Sequence, residues 1–135
     1  MIKLSKLEEP VFAVLRLVSG VLFMCHGLSK LFGVLGGPQV HFSATPQMWV
    51  GGVIELVCGV AIAAGLFTRI AAFLASGTMA VAYFQFHMKG DFGGSHWLPI
   101  VNQGELSVVY CFLFLFYVVR GPGPFSLDRS FKLDA

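Results

Sequence analysis

Four stretches of the chain are almost unbroken in apolar residues, and each is closed off by glycine, proline or charge. They cover about residues 11–35, 49–67, 70–88 and 101–119. A helix needs roughly 20 mostly apolar residues to cross the hydrocarbon core of a bilayer, so each stretch predicts one membrane-spanning helix. Pro10 suits the first turn of helix one, and Gly36-Gly37-Pro38 is expected to end it. Gly65 and Thr68-Arg69 mark a tight turn between helices two and three. Gly90, Gly93-Gly94 and Pro99 fill the connection to helix four, and Gly121-Pro122-Gly123-Pro124 stops that helix. The pattern therefore predicts an all-α, four-transmembrane-helix bundle forming a single domain over residues 1–135. Lys3 and Lys6 before the first stretch resemble the start of a signal peptide, but the stretch is too long and carries Arg16, His26 and Lys30, so a retained helix is expected.

Composition narrows the class. Hydrophobic residues make up 56% and charged residues 12%, against about 25% charged in soluble domains; a small soluble protein could not cover its surface with so few polar groups. The net charge is only +2, without a basic cluster, so nucleic acid is not an expected partner. With four spans, Lys3, Lys6, Arg69, Arg120, Arg129 and Lys132 fall on the side of the termini, while the other loops hold Lys89 beside Asp91. The positive-inside rule then puts both termini in the cytoplasm, as for a bacterial inner-membrane protein, with Trp49 and Trp97 at the outer interface. The tail from Gly121 is expected to lie along the inner surface. Cys25, Cys58 and Cys111 lie within spans, are odd in number and form no C-x-x-C pair, which excludes a disulfide framework. They read as small packing residues; Cys58, one turn from Glu55, leaves a redox role open.

Small residues predict close helix contacts: Gly51, Gly52 and Gly59 on helix two, and Ala71, Ala72, Ala75, Ser76 and Ala80 on helix three. Charges at bilayer depth cost on the order of 3 kcal/mol each, so they pair or line a wet cavity. Here they are Arg16, Lys30, Glu55 and Glu105, which sum to zero and are expected to form a buried ion network; His26 and His87 join them. By depth, Lys30, Glu55, His87 and Glu105 share an outer layer to which every helix contributes. By helical phase, Arg16, Ser19, Gly20, Phe23, Gly27 and Lys30 share one face of helix one. Glu55 shares a face with Gly51, Gly52, Cys58 and Gly59, and His87 with Tyr83, Ala80 and Ser76, while Gln85 points elsewhere. Glu105 is expected to share its face with Asn102, Val109, Phe112 and Phe116.

Two readings stay open. The network fixes helix register only, or it lines a pocket in the outer half of the bundle that binds a small ligand and handles protons through His26, Lys30, Glu55, His87, Asn102 and Glu105. A solute pathway past Arg16 ranks last, because Phe23, Phe112 and Phe116 look like a plug. His41, His87, Asp91 and His96 are weak metal-ligand candidates, since their spacing matches no metal signature. Haem ligation by His26 and His87 is disfavoured by a difference in depth of about one turn. A quinone fits the polar layer better than haem or metal does. No phosphate-binding glycine loop, G-x-S-x-G or H-E-x-x-H is present, so whether the chain is an enzyme stays open.

Several short motifs occur in order along nearly the whole chain. They are Arg16-x-x-x-Gly20, His26-Gly27-x-x-Lys30-Leu31, Gly52-x-x-Glu55-x-x-x-Gly59, Gly65-Leu66-Phe67-Thr68-Arg69, Asn102-x-Gly104-Glu105 and Gly121-x-Gly123-x-x-Ser126-Leu127-Asp128. As a set they resemble the DoxX family of small four-helix membrane proteins. The resemblance implies the bilayer as environment and association with membrane oxidoreductase complexes; the family's namesake accompanies a thiosulfate:quinone oxidoreductase in an archaeon. It marks Arg16, His26, Lys30, Glu55 and Glu105 as characteristic polar positions and assigns them no established catalytic roles. The resulting expectation is a redox-linked subunit, as a homo-oligomer or within a complex, that binds a quinone-like or other small ligand. The alternative is a non-enzymatic structural, assembly or chaperone-type module.

Overall fold

The computed structural model describes residues 4–133; Lys3, counted above toward the basic end, lies outside them. The described chain is all helical. It comprises α1 (Glu8–Phe32), α2 (Pro46–Ala64), α3 (Thr68–Ala82), which runs on into a π-helical turn at Tyr83–His87, α4 (Pro99–Asn102), α5 (Glu105–Arg120) and α6 (Leu127–Ser130). α1, α2 and the continuous Thr68–His87 segment are long and apolar enough to cross a membrane. The fourth expected span is shorter than predicted. Gln103, at φ +60°, breaks the helix just before α5, which leaves α5 with 16 residues, or about 24 Å against the roughly 30 Å of a hydrocarbon core. Helix one also ends earlier, at Phe32, where left-handed Gly33 donates its N–H to the Ser29 carbonyl; Gly36-Gly37-Pro38 belongs to the following loop.

α1 and α2 touch backbone to backbone, antiparallel. A Cβ on Gly27 would stand 2.4 Å from the Leu56 nitrogen and 2.6 Å from the Gly52 carbonyl oxygen; one on Gly59 would stand 2.4 Å from the Met24 nitrogen. Glycine is the only residue that fits such a crossing, and in lipid this close packing replaces the hydrophobic drive that water would supply. α3 packs on α5 and α2 on α3. Aromatic rings join the two pairs: Phe23 meets Phe114 with centroids 4.7 Å apart, and Phe12 meets Tyr117 at 5.6 Å. α1 and α5 are therefore antiparallel, and Arg120 closes their ends by pairing with Glu9 and lying over the Phe12 ring.

The buried stripes of α1 and α2 are those expected from phase. α1 buries Arg16, Ser19, Gly20, Phe23 and Gly27, and α2 buries Gly52, Glu55, Cys58 and Gly59. The expected face of α5 is wrong. Ser107, Tyr110, Phe114 and Tyr117 turn inward, whereas Glu105, Val109, Phe112 and Phe116 are exposed. The aromatic plug is accordingly Phe23 with Tyr110, Phe114 and Tyr117, not Phe112 and Phe116. α5 is apolar all round, so its hydrophobic pattern carries no phase. Its few polar side chains carried the signal: in lipid, Ser107, Tyr110 and Tyr117 face protein.

The tail forms a lock at the end of the bundle that carries both termini. Arg16 is buried, and its guanidinium donates to the carbonyls of Pro122 and, at 2.8 Å, Phe125. The Asp128 carboxylate accepts the Phe67 and Thr68 N–H groups at 2.7 and 2.9 Å, at the start of α3. The Asp128 N–H in turn reaches the Gly65 carbonyl at 2.8 Å. These bonds satisfy backbone donors that a helix start leaves open, and they hold the two helix pairs together at this end.

Candidate functional site

At the opposite end the helix pairs diverge around a cavity of about 410 Å³, within the range of small-molecule sites. All four long helices line it. α1 supplies Phe23, His26 and Lys30, α2 supplies Glu55, the π-turn supplies His87, and α5 supplies Ser107 and Tyr110. Of the expected outer layer, Lys30, Glu55 and His87 converge here, with His26 beside them, whereas Glu105 does not line the cavity.

Its centre is an ion pair. Lys30 Nζ lies 2.5 Å from Glu55 Oε1; Glu55 is 2% exposed and Lys30 31%. The second carboxylate oxygen of Glu55 is buried and has no hydrogen-bond partner among the described residues. Glu55 is placed here because Gly52 and Gly59 bring α2 against α1, with Lys30 one turn beyond Gly27. His26 lies at the cavity's open side, edge-on to the Tyr110 ring with centroids 6.4 Å apart.

The rest of the expected network does not form. Arg16 is held by carbonyls at the other end, and Glu105 is exposed at the first position of α5. The network is thus one pair, Lys30–Glu55, because Gln103 breaks the helix and turns Glu105 away from the cavity. Asn102, expected as a ligand contact, instead ties the connection together. Its side chain donates to the His96 carbonyl at 3.0 Å and accepts the Gly104 N–H at 2.9 Å, and its own carbonyl lies 3.3 Å from His87 Nδ1. It positions His87.

His87 also departs from its expected face. Tyr83 and Ala80 line a different cavity, on the other side of α3. The π-turn, seen in the Met88 N–H bond to the Tyr83 carbonyl five residues back at 2.8 Å, resets the phase and delivers His87 to the charged cavity; such turns gather at functional sites. Gln85 points elsewhere, as expected, and bonds Gln47. The weak metal set does not assemble. His96 is 3.9 Å from Asp91, His87 faces the cavity and His41 is exposed; no group of three or more potential ligands exists among the described residues. Gln47, Gln103, Ser107 and Tyr110 line the cavity and were missed. Gln47 precedes the apolar stretch of α2, and Gln103 sits at the break between α4 and α5, so no periodicity marks them.

A pocket with one buried carboxylate, an ammonium beside it, two imidazoles and aromatic walls can bind and orient a compact polar group and exchange protons with it.

Compared with known proteins, residues 11–88 match the family model described as DoxX. An uncharacterized protein of Haemophilus influenzae is 39% identical over 132 residues, covering 95% of this chain and 96% of that protein. The inner membrane protein YqjF of Escherichia coli is 30% identical, covering 93% and 95%. CatD of Bacillus subtilis, named a candidate oxidoreductase, is 36% identical over 61% of this chain and 63% of its own length. No solved structure matches the chain significantly.

Proposed function

The chain belongs to the DoxX family of membrane proteins, and from that premise we propose that it is a redox-linked inner-membrane subunit whose cavity binds a quinone-like head group. The observation that carries this reading is the half-partnered buried carboxylate of Glu55, held by Lys30 in a cavity lined by His26 and His87. A carboxylate taken out of water at this cost and left with one free oxygen beside a cavity suits a ligand that donates to it or passes it a proton. Lys30 and His26 donate to the ligand's oxygens, and the free oxygen of Glu55 accepts a hydrogen bond or a proton from it. His87, held from behind by Asn102, faces the ring. Tyr110 and Phe23 supply apolar walls. The name of the Bacillus subtilis relative supports the redox link, and that of the Escherichia coli relative supports the location.

In this reading α4 and α5 together make a fourth crossing, since α5 runs antiparallel to α1 from Phe12 to Phe23. The end bearing Lys6, Arg69, Arg120, Arg129 and Lys132 faces the cytoplasm, and the cavity opens toward the outer side. The test is native mass spectrometry of protein extracted from its own membrane in mild detergent. A stoichiometric quinone mass in wild type, lost in Glu55→Gln, is the expected result. A bare protomer that binds no added short-chain quinone refutes the reading and favours the structural module, for which the direct clamp between α1 and α2 through Lys30–Glu55 would then be the whole purpose of the pair.

A further inference from the structure

We propose that the ligand is an amphiphile whose apolar chain lies in a second cavity, on the other side of the α3–α5 pair; this rests on the head-group reading above. The second cavity measures about 390 Å³, nearly the size of the first. Met79, Ala80, Phe84, Trp97, Val108 and Phe112 form half of its wall. Its polar contributions are slight. The Tyr83 hydroxyl is engaged by the Trp97 carbonyl, and the Cys111 thiol lies 3.5 Å from the Ser76 hydroxyl. Nothing here would hold a polar metabolite, whereas a hydrocarbon chain would be at home.

The two cavities share a wall. Met79 and Ser107 line both, and both are buried, at 6% and 8% exposure. The partition between the charged cavity and the apolar one therefore includes a thioether chain and a small hydroxymethyl group. Methionine, unbranched and with three rotatable bonds, is the side chain best able to swing aside, and serine leaves the facing side open. A polar ring seated between Lys30, Glu55 and His87 could thus send its chain between α3 and α5 under the Pro99–Asn102 connection. Phe84, Phe92 and Phe112 at the far side are exposed, so a chain longer than the cavity continues into the bilayer. The chemical class this geometry selects is a compact oxygen-bearing ring with an isoprenoid chain, a lipid-soluble quinone. A water-soluble ligand would leave the second cavity unused.

The experiment compares a tailless benzoquinone with the same ring carrying two isoprenoid units, titrated into the protein in phosphatidylcholine nanodiscs. The variants are Ala80→Phe and Val108→Phe, whose side chains line only the second cavity; thermal melts confirm their fold, and either suffices. Wild type is expected to hold the tailed quinone about tenfold or more tightly than the tailless one, as burial of several methylene-sized groups requires. Filling the second cavity should remove that advantage and leave the tailless affinity unchanged. The variants also cancel the trivial effect of the tail partitioning into lipid, which they cannot alter. A folded variant that keeps wild-type affinity for the tailed quinone overturns the proposal. Equal binding of both quinones by wild type overturns it while the head-group reading stands; binding of neither overturns both.

Discussion

Glu55 is nearly sealed from solvent, and its charged partner among the described residues is Lys30 at 2.5 Å. Removing the partner strands the carboxylate, so Lys30→Met is expected to destabilise by about 3 kcal/mol or more, read as a drop in melting temperature. The double variant Lys30→Met/Glu55→Met should recover most of that loss, because an apolar pair of similar volume is often no less stable than a buried ion pair. It should still fail to bind quinone, which separates the two uses of the pair in one series. Asp128 makes the complementary case at the other end. It caps two N–H groups at the start of α3 and lines neither of the two cavities, so Asp128→Ala should cost about 1–2 kcal/mol of stability with quinone affinity unchanged.

Among the elements, the α1–α2 crossing sets where the charged pair can meet. Gly27→Ala puts a methyl 2.4 Å from a backbone nitrogen. No side-chain rotation relieves such a clash, so the helices must separate, at a cost of about 1–3 kcal/mol. Gly77 lies within α3, and a methyl group added there would meet nothing within 4 Å, so Gly77→Ala should stabilise by about 0.5–1 kcal/mol through helix propensity alone. Melting both variants in the same detergent checks the contrast. The π-turn plays the corresponding part on the other helix pair, since it brings His87 to one cavity while Ala80 and Tyr83 line the other.

For the molecule as a whole, one end is locked and the other is open. Arg16, the Gly65–Thr68 turn and the 121–128 tail bind the helix pairs together at the terminal end, and the cavity lies at the opposite end, where Gln47 bonds Gln85 across the pairs. With the proposed orientation, a fluorescent protein fused after the C-terminus should mature in the cytoplasm. One inserted in the 33–45 loop and exported through the general secretory route should stay dark. The reverse pattern would place the cavity on the cytoplasmic side.

The class of this protein, its apolar helices and the inward stripes of α1 and α2 were legible in the sequence, because composition decides solvent and a helix with few small or polar residues on one side reports its own phase. Lys30, Glu55 and His87 could be grouped by depth alone, together with Glu105, since 1.5 Å per residue is a local property. Only the tertiary structure decided their pairing. Arg16 chooses carbonyls of a tail more than 100 residues away over any carboxylate, and Glu105 leaves the cavity because one left-handed residue, Gln103, interrupts its helix. The second cavity was illegible for the same reason: it exists between α3, α5 and their connection, and a void between elements has no pattern in any one of them.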